Sequence, residues 1–368
     1  MNSKDSKLKI FFDNVKFPAF AVLISFVIGA IFIVISGNSP LVAYGALFSG
    51  SFGSIPVFGE TLLKTTPLIF TGLAIAFAFR CGLFNIGAEG QYIAGAISTV
   101  AVAFVFQNLP HFLLVPLIFL AGALGGALWA SIVGFLKSKL GIHEVITSIM
   151  LNYTAMFVGN YFIRTILNPS TLEGSAQKAH TVLLPQAARL TKFKDLFPSI
   201  FGHSSVNTSL IVAILCAFVA YFILFKTTLG YEIRSVGQSP FAAEYGGISI
   251  TKNLIISMLI SGAFAGLAGT AQVAGLTYKV DMAPALPGYG FTGIAVALVG
   301  KNHPIGVLVS ALLFGILSNG ERRMQIAGIP KEIVGIIQGV IIIFIAGEQI
   351  VKIISKHREK KNKTEEVA

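Results

Sequence analysis

Residues 61–107 read TLLKTTPLIFTGLAIAFAFRCGLFNIGAEGQYIAGAISTVAVAFVFQ. Two apolar runs, 61–80 and 86–107, flank a break that holds Arg80 and three glycines, Gly82, Gly87 and Gly90. Each run has about the twenty residues that a helix needs to cross a hydrocarbon core ~30 Å thick. Outward from this pair the same signature recurs at 17–37, 111–136, 145–163, 207–225, 253–274, 285–300, 304–319 and 332–351, each run bounded by charges or by Gly, Pro and Asn clusters. Composition agrees: 54% of the 368 residues are hydrophobic and 12% are charged, against ~25% charged in soluble domains. Too few polar side chains remain to coat a water-facing surface. The expected fold is all-α, a polytopic transmembrane bundle of about ten spans, with no room for a large soluble catalytic domain. The runs 285–300 and 304–319 are short, so one of them is a candidate re-entrant or tilted segment.

The formal charge of +11 suggests nucleic acid at first sight, but its placement does not. Lys4, Lys7, Lys9 and Lys16 precede the first run, and Lys352, Lys356, Arg358, Lys360, Lys361 and Lys363 follow the last. Basic flanks of this kind are the positive-inside signature. The expected organisation is a cytoplasmic segment 1–16, a membrane domain 17–351 and a basic cytoplasmic tail 352–368. An even number of spans puts both termini inside the cell, in the plasma membrane, with lipid rather than nucleic acid as the surrounding partner. Arg80, Lys137, Lys139, Lys226, Arg234, Lys252 and Lys301 then fall inside as well, while Glu321, Arg322, Arg323 and Lys331 fall outside, against the rule. The first run lacks a convincing small-residue cleavage site at Ile35-Ser36-Gly37-Asn38, so it reads as a retained helix.

Two connections are long. The external one, 164–206, contains Pro169, Pro185 and Pro198; it reads either as a cap that receives a partner or as a loosely ordered link. The internal one, 226–252, contains Ser239-Pro240-Phe-Ala-Ala-Glu-Tyr followed by Gly246-Gly247. Ser239 is a natural helix cap, Pro240 suits the first helical position and the glycines stop the helix, so a short helix is displayed to the cytosol.

An internal repeat is also visible. Phe70-Thr71-Gly72-Leu73-Ala74-Ile75-Ala76 matches Phe291-Thr292-Gly293-Ile294-Ala295-Val296-Ala297 without a gap, and both copies end on a basic residue, Arg80 and Lys301. Transporters are often built from two such halves. Gly122 with Gly126, and Gly262 with Gly266, have the spacing that lets helix backbones approach closely in lipid; packing inside one subunit, a central pathway and a subunit contact are the uses open to them.

Signatures of chemistry are missing. His143-Glu144 lacks the second histidine of a zinc-protease motif, Gly300-Lys301 is followed by Asn302 rather than the Ser or Thr of a phosphate loop, and Cys81 and Cys216 form no metal or disulfide spacing. The chain is therefore expected not to be an enzyme and to hold no metal. Polar groups at membrane depth are expensive and become default functional candidates. They are Asn85, Glu89 and Gln91 in the glycine-rich break, Asn152, Tyr153 and Asn160 in the fifth span, Gln272 in the seventh and Gln338 in the tenth. Amides suit uncharged polar solutes on a translocation pathway, and they serve equally as bonds between helices. For Glu89 two readings stand: a place on the pathway or its gate, and a pairing with Arg80 near the inner interface.

Three stretches carry a resemblance: Gly82-Leu-Phe-Asn-Ile-Gly-Ala-Glu-Gly-Gln91, Gly141-Ile-His-Glu-Val-Ile-Thr-Ser-Ile-Met-Leu-Asn-Tyr153 and Arg234-Ser-Val-Gly-Gln-Ser-Pro-Phe-Ala-Ala-Glu-Tyr-Gly-Gly-Ile248. Together they resemble permease subunits of bacterial ABC importers of the ribose and branched-chain amino-acid class, over about residues 60–350. The Phe-Asn-Ile-Gly-Ala-Glu-Gly-Gln form is most similar to the branch that works on nucleosides with basic-membrane-protein lipoproteins. The resemblance implies a coupling helix over about 239–247 that docks into an ATP-binding subunit, with Arg234, Ser239, Pro240, Ala243, Glu244 and Gly247 in that loop. It further implies a second permease, identical or related, an extracellular substrate-binding lipoprotein, and ATP and Mg2+ used by the partner ATPase rather than by this chain. The 164–206 connection is long for this resemblance. Nucleoside uptake is the expected function; a simple-sugar ABC permease and a self-sufficient secondary transporter or channel are the alternatives.

Overall fold

The computed structural model describes residues 3–345 and residue 347, with side chains described from residue 17 onward. The expected tail 352–368 and the end of the expected tenth span, 348–351, lie outside the described residues. Among the described residues the chain is all-α. The helices are α1 (Ser3–Ile35), α2 (Pro40–Phe52), α3 (Ile55–Arg80), α4 (Ala88–Val105), α5 (His111–Leu140), α6 (Glu144–Thr165), the one-turn α7 (Pro169–Leu172), α8 (Phe193–Leu196) and α9 (Pro198–Phe201), then α10 (Ser209–Lys226), α11 (Thr228–Gln238), α12 (Pro240–Tyr245), α13 (Ile250–Gln272), α14 (Tyr289–Val299), α15 (Pro304–Ile326) and α16 (Glu332–Ile345).

Within the described residues every apolar run read from the sequence lies in a helix. Among the described residues seven helices are long and apolar enough to cross a membrane, and α2, α14 and α16 are shorter apolar helices, so the protein is a multi-pass membrane bundle. Several boundaries move, and α2, α11 and the one-turn helices α7, α8 and α9 are new. Helix α3 starts at Ile55, ahead of the expected 61, because Ser54 caps it by accepting a bond from the Val57 amide and Pro56 sits in its first turn. Helix α15 continues past 319 to Ile326. Helix α2, of 13 residues, was not expected: it is too short to register as a span.

The chain divides into two units, Met1–Gly50 with Gly320–Ala368, and Ser51–Asn319. In the first, the Tyr44 hydroxyl donates to the Phe26 carbonyl, the Phe26 ring also stacks on Phe48, and Gly29 lies against Ile337 with no room for a methyl. In the second, α13 packs against α3, α4 and α5. The expected glycine pairs make that packing. A methyl at Gly126 would overlap the Gly262 carbonyl, one at Gly266 the Gly122 carbonyl, and one at Gly95 the Gly266 backbone. Backbones thus touch where α4, α5 and α13 meet, and the Thr99 and Thr270 hydroxyls bond across the seam at 2.8 Å.

The 164–206 connection is ordered and packed. The Asn168 amide donates to the carbonyls of Ile163 and Lys178. Val182 and Leu184 are buried with Val100, Leu114 and Ile118, while Leu183 between them is exposed, the alternation of an extended strand. Its backbone bonds to the segment that follows α13: Leu184 N–H to Tyr278 O, Thr181 N–H to Val280 O and Leu190 N–H to Ala274 O, all within 2.8–2.9 Å. Of the two readings of this connection, the loosely ordered link does not describe it.

Candidate functional site

Between α3 and α4 the chain runs through Cys81–Gly87 without helical bonding of its own, and Gly82 takes a φ of +78° that favours glycine. Such backbone is tolerated at membrane depth only where the protein satisfies it. Asn85 and Asn152 share this work. The Asn85 amide donates to Gln91 Oε1 at 2.9 Å and to Ser261 Oγ at 2.7 Å, and its oxygen accepts from the Gly87 N–H and the Gln91 amide. Ser261 in turn donates to the Ala74 carbonyl at 2.6 Å. Asn152 reaches over from α6: its oxygen accepts the Gly90 N–H at 2.8 Å, and its amide donates to the Ile86 carbonyl at 3.0 Å. Asn85, Gln91 and Asn152 are all buried and tied to one another or to backbone, which is the interhelical use of amides.

Glu89, fully buried in the first turn of α4, binds a second helix. Its Oε1 accepts the amides of Gly290 at 2.9 Å and Phe291 at 3.1 Å, two of the N-terminal donors that α14 leaves open. A carboxylate there also meets the positive end of the helix dipole. Oε2 is buried with no hydrogen-bond partner. Helix α14 has 11 residues, about 16 Å of rise, or roughly half the hydrocarbon thickness. It lies parallel to α3: Gly293 packs on Thr71, Gly72 on Val296, and the Arg80 guanidinium donates to the carbonyls of Asn302 at 2.7 Å and Lys301 at 3.4 Å. The two copies of the sequence repeat therefore pack side by side, their basic ends together, and the N-terminal end of the shorter one starts part-way along α3, against Glu89. Of the two readings of Glu89, pairing with Arg80 fails, because Arg80 spends its donors on the α14–α15 turn. Broken helices that start at mid-membrane are where transporters place their working parts.

The remaining candidates are dispersed. Tyr153 is exposed on the outer face of α6, and Gln338 is half-buried on α16 in the other unit. Asn160 pins an irregular segment: its amide and oxygen both bond the Ala283 backbone at 2.9 Å. Gln272 ends α13, where the helix loosens into a π-turn at Val273–Thr277, and it lines a cavity of about 170 Å³ together with Tyr92, Met156 and Val280. Two residues escaped the sequence reading: Ser261, whose hydroxyl closes the Asn85 cluster, and Tyr289, which opens α14 and stacks on Tyr92 with ring centroids 5.4 Å apart. The Gly288-Tyr289-Gly290 triplet was the available signal. Among the described residues no three of His, Cys, Asp and Glu converge on a common point.

The internal connection holds the expected short helix, α12. Ser239 caps it by accepting the Ala242 N–H, Pro240 occupies its first turn, and Gly247 closes it at φ +80° while the Gly247 and Ile248 amides bond the carbonyls of Glu244 and Ala243. Only Ala243 faces the protein, at 5% exposure; Phe241 is 84% exposed, Tyr245 97%, and Glu244 is exposed between them. Arg234 is not part of that display. It is half-buried on α11 with its guanidinium 5.1 Å from the Phe225 ring, which Arg80 also approaches at 5.5 Å.

Residues 57–346 match the family described as the branched-chain amino acid transport system / permease component. The chain is 39% identical to the guanosine ABC transporter permease protein NupP of Bacillus subtilis, over 94% of this chain and 96% of that one. It is 38% identical to the nucleoside ABC transporter permease protein NupB of Lactococcus lactis, over 96% and 94%. The glucose ABC transporter permease protein TsgB13 of Haloferax volcanii is 35% identical, over 91% and 88%. No solved structure matches the chain.

Proposed function

The chain belongs to this permease family, and on that premise we propose that it is the membrane-spanning subunit of an ATP-binding cassette importer that carries nucleosides into the cell. The observation that carries the substrate is the end-to-end similarity to permeases named for guanosine and for nucleosides. As a transport component the chain makes and breaks no covalent bond; ATP and Mg2+ act in a separate ATPase subunit. The face that bears Arg80, Lys226, Lys301 and α12 is cytoplasmic, in keeping with the positive-inside bias, as are both termini. The packed 164–206 segment then faces outward, where a lipoprotein hands over solute, and a second permease completes the pathway.

The contacts supply a route for the motor. Two large aromatic side chains exposed on a six-residue helix are expensive in water and natural as anchors in a partner's groove. Movement of α12 reaches α11 directly, and Gly237 of α11 lies against the Arg80 carbonyl with no room for a methyl. Arg80 holds the α14–α15 turn, and the N-terminus of α14 rests on Glu89. Closure of the ATPase pair thus pulls on the broken helix at the centre of the bundle, shifting it between two discrete packings.

The similarity to a glucose permease supports a second reading, uptake of a neutral sugar. Competition separates the two. In cells expressing the whole transporter, excess unlabelled guanosine should abolish uptake of labelled nucleoside, while glucose leaves it unchanged; the reverse pattern would move the assignment to sugars.

A further inference from the structure

We infer that the cavity between α4, α6 and the π-turn after α13 is a solute-holding site on the outer half of this subunit, shaped for one uncharged ring with hydroxyl or amide edges. This rests on the reading above. The cavity measures about 170 Å³, close to the ~150 Å³ hole that accepts a single benzene ring, so it admits one ring of a nucleoside and leaves the rest in its mouth. Its walls are Ile93, Met156 and Val273, with the Lys279–Asp281 ion pair among the residues lining it.

Two polar ends set this cavity apart from a packing defect. The half-buried Gln272 side-chain amide forms no hydrogen bond within the described chain, and neither does the Tyr92 hydroxyl, although every other amide in this half of the bundle that the sequence singled out, Asn85, Gln91, Asn152 and Asn160, is bonded. An amide offers a donor and an acceptor side by side, and a phenol offers both on one atom. That combination fits the edge of a base or a pair of sugar hydroxyls. The Lys279 charge in the lining is paired with Asp281 at 2.8 Å, which suits an uncharged solute, and ligand pockets commonly have this form, apolar walls with a few placed polar groups.

The position of Tyr92 gives the site a consequence. It stacks on Tyr289, the first residue of α14, one position before the amides held by Glu89. A ring seated in the cavity presses on the same junction that the coupling route reaches from the opposite side.

The test uses the full transporter, with its ATPase, in proteoliposomes, and guanosine as the probe. Gln272→Leu and Tyr92→Phe should each raise the guanosine concentration for half-maximal uptake about tenfold, the loss of one hydrogen bond, with a smaller change in the maximal rate. A purely structural role would lower the maximal rate instead. Independently, in a chain with Cys81 and Cys216 replaced by Ala, Val280→Cys should react with N-ethylmaleimide, and guanosine should slow that reaction while glucose 6-phosphate does not. An unchanged half-maximal guanosine concentration in both variants, or labelling indifferent to guanosine, would overturn the site while wild-type guanosine uptake leaves the function standing. Absence of guanosine uptake by the wild-type transporter would instead remove the nucleoside reading itself.

Discussion

The junction around residues 85–91 and the helix α12 are both short, glycine-flanked interruptions, yet they are built in opposite ways. At the junction, nearly every polar atom is buried and bonded by a side chain from another helix, and glycines bring the backbones into contact. On α12 the bonds are local, from Ser239 and the Gly247 turn, and the large side chains point into solvent. Water is absent from the first setting and present in the second, which accounts for the difference: only the membrane-depth break must supply its own partners. The junction's amides find their partners within the chain, whereas α12 leaves Phe241 and Tyr245 exposed.

This contrast orders the expected effects of mutation. The largest falls on the seam behind the junction: Gly266→Leu or Gly126→Leu sets a side chain against carbonyls that cannot yield, and should cost about 3 kcal/mol or more, seen as loss of the monodisperse species on size exclusion in detergent. Next is Glu89→Ala, which orphans the Gly290 and Phe291 amides at about 1.5–3 kcal/mol for a bond to a charged group and should lower both thermal stability and transport. Glu89→Gln keeps an acceptor and should recover most of the stability; equal loss in both variants would mean that the charge matters more than the bond. On the other side of the comparison, Phe241→Ala or Tyr245→Ala should shift stability by no more than about 0.5 kcal/mol and yet weaken co-purification of the ATPase roughly tenfold or more. Glu244→Ala should act in the same way, and Arg234→Ala should differ, because it removes packing on Phe225.

The smallest effect is a pH dependence. His303, in the turn between α14 and α15, has its imidazole pushed below its ordinary value of 6.5, first by burial and then by the Arg80 charge. A depressed folded pKa means that its contribution to stability is complete above about pH 6.5 and is lost as pH falls through the lower folded value. A melting series from pH 7.5 to 5 should show that acid loss in the wild type and a flatter curve in His303→Gln.

Much of this architecture was legible because lipid enforces a simple code. Ten apolar runs became ten helices, the glycine pairs became the seam, and Ser239-Pro240 with Gly246-Gly247 marked both ends of α12. What escaped depends on contacts between distant residues. Nothing near Glu89 announces that its partners are Gly290 and Phe291, about two hundred positions away, and the charge of Arg80 gave no sign that it would hold a turn rather than an acid. The repeat hinted that 70–80 and 291–301 were related without saying that they would lie in contact. The packing of 164–206 was within reach, since Val182, Leu183 and Leu184 alternate in and out, but three prolines and mixed charge hid a segment too short for a periodic pattern to stand out.

The central claim is that transport through this bundle is driven by a separate ATPase docked on α12. Purified chain in liposomes, with and without that ATPase, tests it most directly. Guanosine should accumulate against its gradient only when the ATPase and ATP are both present; accumulation driven by an ion gradient in liposomes holding this chain alone would contradict the account.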